Sequence, residues 1–116
     1  MPRLDHAAFE TPDPDRAAAF YERIFGARVV KAEGHPVMAY VANTGFAFHE
    51  PDGPGDHVGV RVTPDERAEI KRRLDEAGVE WEERDHGIAK GVFFRDPDGR
   101  LLEAITYASG DDLRRP

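Results

Sequence analysis

Asp56-His57-Val58-Gly59-Val60-Arg61-Val62-Thr63-Pro64-Asp65 restates a stretch met earlier in the chain, Asp5-His6-Ala7-Ala8-Phe9-Glu10-Thr11-Pro12-Asp13. Each copy places a histidine early in an extended run, follows it with Thr-Pro-Asp and enters a helical pattern that ends at a glycine, Gly26 or Gly78. A repeat of this kind predicts two similar half-domains with an imidazole at the equivalent point of each.

Working outward from His57, the strand predicted over 57–62 puts Val58, Val60 and Val62 on one face, which must pack on a helix. His57, Gly59 and Arg61 then share the other face. Thr63-Pro64-Asp65-Glu66 is a capping box with proline at the first helical position. Ile70, Leu74 and Ala77 are the expected buried stripe of that helix. Strands are predicted over 79–83, 91–95 and 100–107, with Asp96-Pro97-Asp98-Gly99 as the turn between the last two.

The first half repeats that order. A strand over 3–10 carries His6, Asp13-Pro14 opens a helix, and Ala17, Phe20, Tyr21 and Ile24 recur at helical spacing. Short strands follow over 27–32, 37–42 and 45–49, and Pro51-Asp52-Gly53-Pro54-Gly55 joins the halves. Both halves read β-α-β-β-β. The expected fold is α+β, two tandem βαβββ modules forming a curved mixed-sheet cup with helices outside. Neither half is long enough to bury a core alone, so one domain is expected over 1–108, with modules at about 3–50 and 56–107 and a polar tail over 109–116.

The last strand holds an anomaly. Leu102, Ala104 and Thr106 share one face, which leaves Glu103 between Leu101 and Ile105 on the other. An unpaired buried carboxylate is costly, so something positive should meet it. Two imidazoles and one carboxylate, all on strands and all on faces away from the helices, make a set suited to iron, zinc or a similar divalent ion. The residues are His6, His57 and Glu103. With no cysteine in the chain, a thiolate site, a disulfide framework and a cysteine nucleophile are excluded.

The formal net charge of −7 argues against nucleic acid, whose phosphates need a basic footprint. No apolar run approaches the ~18 residues of a membrane span, and no charged-then-apolar leader opens the chain, so a cytoplasmic protein is expected.

Four stretches carry a family resemblance: Leu4-Asp5-His6; Ala19-Phe20-Tyr21-Glu22-Arg23-Ile24-Phe25-Gly26; Asp56-His57-Val58-Gly59-Val60; and Phe93-Phe94-Arg95-Asp96-Pro97-Asp98-Gly99-Arg100-Leu101-Leu102-Glu103. In these the chain resembles the vicinal-oxygen-chelate superfamily of glyoxalases, bleomycin-resistance proteins, fosfomycin-resistance transferases and extradiol dioxygenases. The resemblance implies that His6, His57 and Glu103 bind one divalent metal (Fe, Mn, Zn or Ni) at which a small substrate chelates through neighbouring oxygens. It also implies a homodimer in which His6 of one chain meets His57 and Glu103 of the other.

Within the family, glyoxalases usually add a glutamate ligand on the last strand of the first half, where Phe48 best matches unless a bulge brings in His49 or Glu50. The transferases and dioxygenases commonly carry tyrosine ten residues before the metal glutamate, where this chain has Phe93. Asp85-His86-Gly87 resembles the loop that carries a histidine beside the metal in catechol-type dioxygenases, which implies a catalytic role for His86. Phe48, Phe93, Leu101 and Ile105 are the expected apolar walls around substrate. The resulting expectation is a metal-dependent enzyme, extradiol-dioxygenase-like, with a glyoxalase-type lyase and a bleomycin-sequestering protein as alternatives.

Overall fold

Each helix begins where its cap is written. In the computed structural model, which describes residues 2–109, Asp13 accepts the Arg16 N–H at 3.1 Å and starts α1, Pro14–Phe25. Thr63 and Glu66 exchange side-chain and backbone hydrogen bonds of 3.1 and 2.9 Å and start α2, Pro64–Glu76. Such pairs satisfy N–H groups that no helical carbonyl can reach. Gly26 closes α1 at φ 68°, a left-handed conformation glycine adopts without a Cβ clash.

The strands are β1 (Arg3–Glu10), β2 (Arg28–Val30), β3 (Val37–Val41), β4 (Thr44–His49), β5 (His57–Arg61), β6 (Trp81–Asp85), β7 (Ala89–Arg95) and β8 (Leu101–Tyr107). The fold is α+β, with the order βαβββ occurring twice. The described residues divide into two units. One runs from His6 to Asp56; the other takes the residues up to Asp5 together with those from His57 onward. The tail expected from 109 lies, apart from Ser109, outside the described residues. No helix among the described residues is long and apolar enough to cross a membrane.

In the unit from His6 to Asp56 the strand order is β2-β3-β4-β1, with β4 parallel to β1 and the pairs β2-β3 and β3-β4 antiparallel. The helix-side core gathers Ala18, Ala27, Ala39 and Phe48, with Tyr21 and Phe46 packed on it. The other face of the strands carries Ala8, Met38, Tyr40 and Ala47. The helix does not bury the stripe expected of it. Ala17, Ala18 and Tyr21 meet the sheet, whereas Phe20 and Ile24 stay 59% and 57% exposed. Small alanines let α1 approach the strands, and Tyr21 fills the remaining space against Phe46 and Phe48 at ring distances of 4.8 and 5.0 Å.

In the second unit the order is β5-β8-β7-β6, again with one parallel pair, β5 with β8. Ile70 and Leu74 of α2 pack on Val62, Val92 and Ala104, joined by Val60, Trp81 and Phe94. Two expectations need correction here. Val58 points to the helix side by alternation but is 40% exposed and outside that cluster, and Ala77 is an exposed C-cap. Ile70 and Leu74 are the α2 side chains that join this apolar cluster, and ion pairs run from Arg72 to Glu69 and Glu76 and from Lys71 to Glu83.

Candidate metal centre

The second unit collects most of the chemistry. Gly59 of β5 stands opposite Glu103 of β8, and Phe93 of β7 flanks Glu103 from the other side. Alternation then puts His57, Phe93 and Glu103 on the face away from α2. Both His57 and Glu103 are buried, at 6% and 2% exposure. Nε2 of His57 lies 3.4 Å from Oε1 of Glu103. The other carboxylate oxygen, Oε2, is 2.9 Å from Nε2 of His86. The positive or hydrogen-bonding partner that a carboxylate between Leu101 and Ile105 demands is therefore a pair of imidazoles.

His86 reaches Glu103 because of the hairpin between β6 and β7. Asp85 accepts the Gly87 N–H at 2.8 Å, Gly87 takes φ 84°, and the His86 N–H closes the turn on the Ala89 carbonyl at 2.7 Å. The Asp-His-Gly order supplies the side-chain acceptor and the left-handed residue this turn needs. Phe93 stands edge-on to both imidazoles, with ring centroids 5.2 Å from His57 and 6.1 Å from His86. The Arg84 guanidinium lies over the same ring at 5.4 Å. Of the other expected wall residues, Leu101 is half-buried, and Ile105 is buried in a cluster with Ala89 and Tyr107.

In the other unit, His6 is 8% exposed and pairs in register with Gly45. Its alternation partner Ala8 belongs to the cluster with Met38, Tyr40 and Ala47, so His6 shares the face away from α1. Phe48 does not. It lies in the helix-side core with Ala18, Ala27 and Ala39, its ring 5.0 Å from Tyr21. The register of β4 decides this: Gly45 and Ala47 stand opposite His6 and Ala8, which turns Phe46 and Phe48 toward α1. Phe48 is thus a core residue rather than a pocket wall, and the glutamate position of the glyoxalases has no carboxylate counterpart on that strand.

His6, His57 and Glu103 offer one metal-ligand atom apiece, and all three are buried. The donor set, two imidazoles and a carboxylate without thiolate, fits a divalent ion of the Fe, Mn, Ni or Zn kind.

Sequence reasoning passed over one polar cluster. Asp5, 1% exposed, accepts from Arg61 Nε at 3.0 Å and from the Tyr107 hydroxyl at 2.6 Å, and Arg61 Nη2 lies 2.9 Å from Oδ1. The Arg61 guanidinium also covers the Tyr107 ring at 4.7 Å. The signal was available in part. Arg61 has the parity of His57, and Tyr107 has the parity of Glu103, so both side chains turn away from α2.

The family model of the glyoxalase/bleomycin resistance protein/dioxygenase superfamily matches residues 3–104. The chain belongs to this superfamily. A curated member, the metallothiol transferase FosB of Lysinibacillus sphaericus, is 26% identical over 121 residues, spanning 95% of this chain and 86% of the transferase. Methylmalonyl-CoA epimerase from Mycobacterium tuberculosis shares the fold at TM-score 0.74 and 22% identity, over 91% of this chain and 88% of the epimerase. The 2,2',3-trihydroxybiphenyl 1,2-dioxygenase of Sphingomonas wittichii RW1 matches at TM-score 0.66 and 21% identity, over 94% of this chain but 42% of the dioxygenase. Superfamily members bind a divalent metal and act on small molecules.

Proposed function

We propose that this superfamily member is a metal-dependent enzyme in which His6, His57 and Glu103 hold one divalent ion and a small substrate chelates it through neighbouring oxygens. The observation that carries the reading is the buried Glu103 carboxylate, 2% exposed, with an imidazole on each oxygen. Bound there, a divalent ion would supply Lewis acidity and a template for substrate oxygens. The chain's own residues do the rest. His57 and Glu103 orient ligand atoms, Phe93 keeps water from one side, and Leu101 and Ile105 supply apolar surface. Phe48 has no place in this wall.

Ring-cleaving oxygenation is the reaction class we place first, because the Asp85-His86-Gly87 hairpin brings a histidine to the metal-binding carboxylate. A thiol-transfer reading is favoured by a different observation, the likeness to FosB over 95% of the chain. A glyoxalase-type lyase is disfavoured, since β4 turns Phe48 to the helix and offers Gly45, Ala47 and His49, with no carboxylate, on the His6 face. Sequestration of a cationic drug such as bleomycin fits the charge of −7 but leaves the buried ligand set without a purpose.

The test is anaerobic reconstitution with Fe(II), Mn(II), Ni(II) or Zn(II), followed by oxygen uptake on a catechol panel, thiol consumption with fosfomycin, and a methylglyoxal–thiol assay. Oxygen uptake with Fe(II) or Mn(II), abolished in Glu103→Ala, supports the oxygenase. Thiol consumption without oxygen uptake moves the protein to the transferases. Tight bleomycin binding indifferent to chelators, with no metal in the purified protein, overturns the enzyme reading.

A homodimer with shared sites is part of the same proposal. Exposed Phe20, Ile24 and Phe25 on α1, at 59%, 57% and 60%, offer apolar surface for a second copy. A monodisperse monomer in sedimentation that binds one metal per chain at full affinity would remove the shared site.

A further inference from the structure

Glu103 is held more tightly than a metal ligand requires, and two residues do the holding. One is His86, whose Nε2 lies 2.9 Å from Oε2. The other is Gly91 of β7. A Cβ built at Gly91 would come within 2.0 Å of Oε2 and 2.8 Å of the carboxylate carbon. No other residue type leaves the carboxylate where it is. Gly91 sits inside a strand with valine and two phenylalanines directly after it, where glycine weakens the strand and marks a close approach. Here the close approach is the carboxylate itself.

The two contacts fall on the same oxygen. Oε2 is occupied by His86 and packed over Gly91, while Oε1 is turned toward His57 at 3.4 Å. A carboxylate free to rotate can bind a metal through one oxygen or through both. We infer that His86 and Gly91 are positioning residues that fix the Glu103 rotamer and reserve Oε2, so that Glu103 presents Oε1 alone to the metal. This rests on the metal reading above and gives His86 a specific role, acting through Glu103. An Nε2–H tautomer of His86 donates to Oε2 and leaves Nδ1 to accept. Hydrogen-bond partners of metal-binding carboxylates orient the ligand in this way, and their loss typically weakens metal binding about 10–100-fold.

The test uses the full chain with Co(II) as the probe, its affinity read by chelator competition and its coordination by the visible d–d spectrum. His86→Ala is expected to weaken Co(II) binding about 10–100-fold and to lower the visible absorption as Glu103 becomes free to bind through both oxygens and the coordination number rises. His86→Gln, whose amide nitrogen reaches the place of Nε2, should restore most of the affinity and the spectrum. Gly91→Ala should shift the spectrum in the same sense. Because both act on one carboxylate, the double variant should lose less than the product of the two single losses. In the metal-free protein, the His86 Nε2–H proton should be shifted downfield and exchange slowly with water, and that signal should be lost in Glu103→Ala. Unchanged affinity and spectrum in His86→Ala, or an Nε2–H signal indifferent to Glu103→Ala, would overturn the inference. A wild-type protein that gives no cobalt spectrum would overturn the metal reading instead, with the His86 signals still deciding whether the carboxylate is gripped.

Discussion

The two halves share an element order, a strand order and a histidine at the same point, yet they use the face away from the helix in opposite ways. In the unit from His6 to Asp56 that face is closed with Ala8, Met38, Tyr40 and Ala47. In the other it carries the buried polar side chains of His57, Arg61 and Glu103 beside Phe93 and an apolar patch of Ala89, Ile105 and Tyr107. A duplicated scaffold holds itself together with the cheaper apolar solution in one copy. It concentrates charge in the other, where every buried polar group must find a partner. The helices differ in the reverse sense. α1 buries alanine and exposes Phe20, Ile24 and Phe25, while α2 has no fully buried residue and is laced with ion pairs.

The contrast is most easily broken at Asp5. Removing its carboxylate leaves Arg61 charged and buried without the acceptor for Nε and Nη2, and it also deprives Tyr107. Asp5→Ala should cost about 3–5 kcal/mol of stability, measured by urea unfolding at neutral pH. A loss below about 1 kcal/mol, the range of an exposed ion pair, would mean that the cluster is solvated.

Next in size is the ligand set. Glu103→Ala should weaken metal binding by at least ~100-fold, the upper end of what loss of a ligand's hydrogen-bond partner does. His6→Ala sharpens the comparison because it lies in the apolar half. A fall as large as that of Glu103→Ala makes the first half a partner in the chemistry, and an unchanged affinity, read by calorimetry, confines the metal to the second.

The caps probe whether the helices depend on local or tertiary terms. Asp13→Ala and Thr63→Ala each remove a side-chain acceptor from a helix start and should cost about 1 kcal/mol. Since α2 buries less, Thr63→Ala should lower the hydrogen-exchange protection of its own helix more than Asp13→Ala lowers that of α1.

The smallest effect is acid sensitivity on the surface of α2. Hydrogen bonding to Arg72, followed by its charge and by Arg73, lowers the Glu69 carboxyl from 4.5 to about 2. The folded state therefore binds this proton less readily than the unfolded chain. The stabilisation is complete above about 4.5 and fades as the pH falls toward 2. Glu69→Gln should flatten that part of the acid-unfolding profile slightly, and added salt should shrink the difference, because the side chains are exposed.

The repeat, the caps and the alternation were legible because each is written in neighbouring residues. From them follow the βαβββ order, both helix starts, and the sides taken by His57, Glu103 and Ile105. Strand ends were less sharp: β2 is Arg28–Val30 where 27–32 was expected, and β6 is Trp81–Asp85 where 79–83 was expected. The resemblance in Phe93 to Glu103 pointed to the superfamily, and the match over residues 3–104 bears it out.

By itself, then, the sequence determined the order of elements, which residues of a strand share a face and which residue types are available as metal ligands, since a period of two or 3.6 and a cap depend only on local stereochemistry. The tertiary structure alone decided which side chains meet. Inter-strand register turned Phe48 into α1, hairpin geometry set His86 on Glu103, and the missing Cβ of Gly91 left room for that carboxylate. Asp5 found Arg61 and Tyr107 from 56 and 102 residues away. Contacts between residues so distant in sequence are fixed by the cooperative packing of whole strands, which no local pattern encodes.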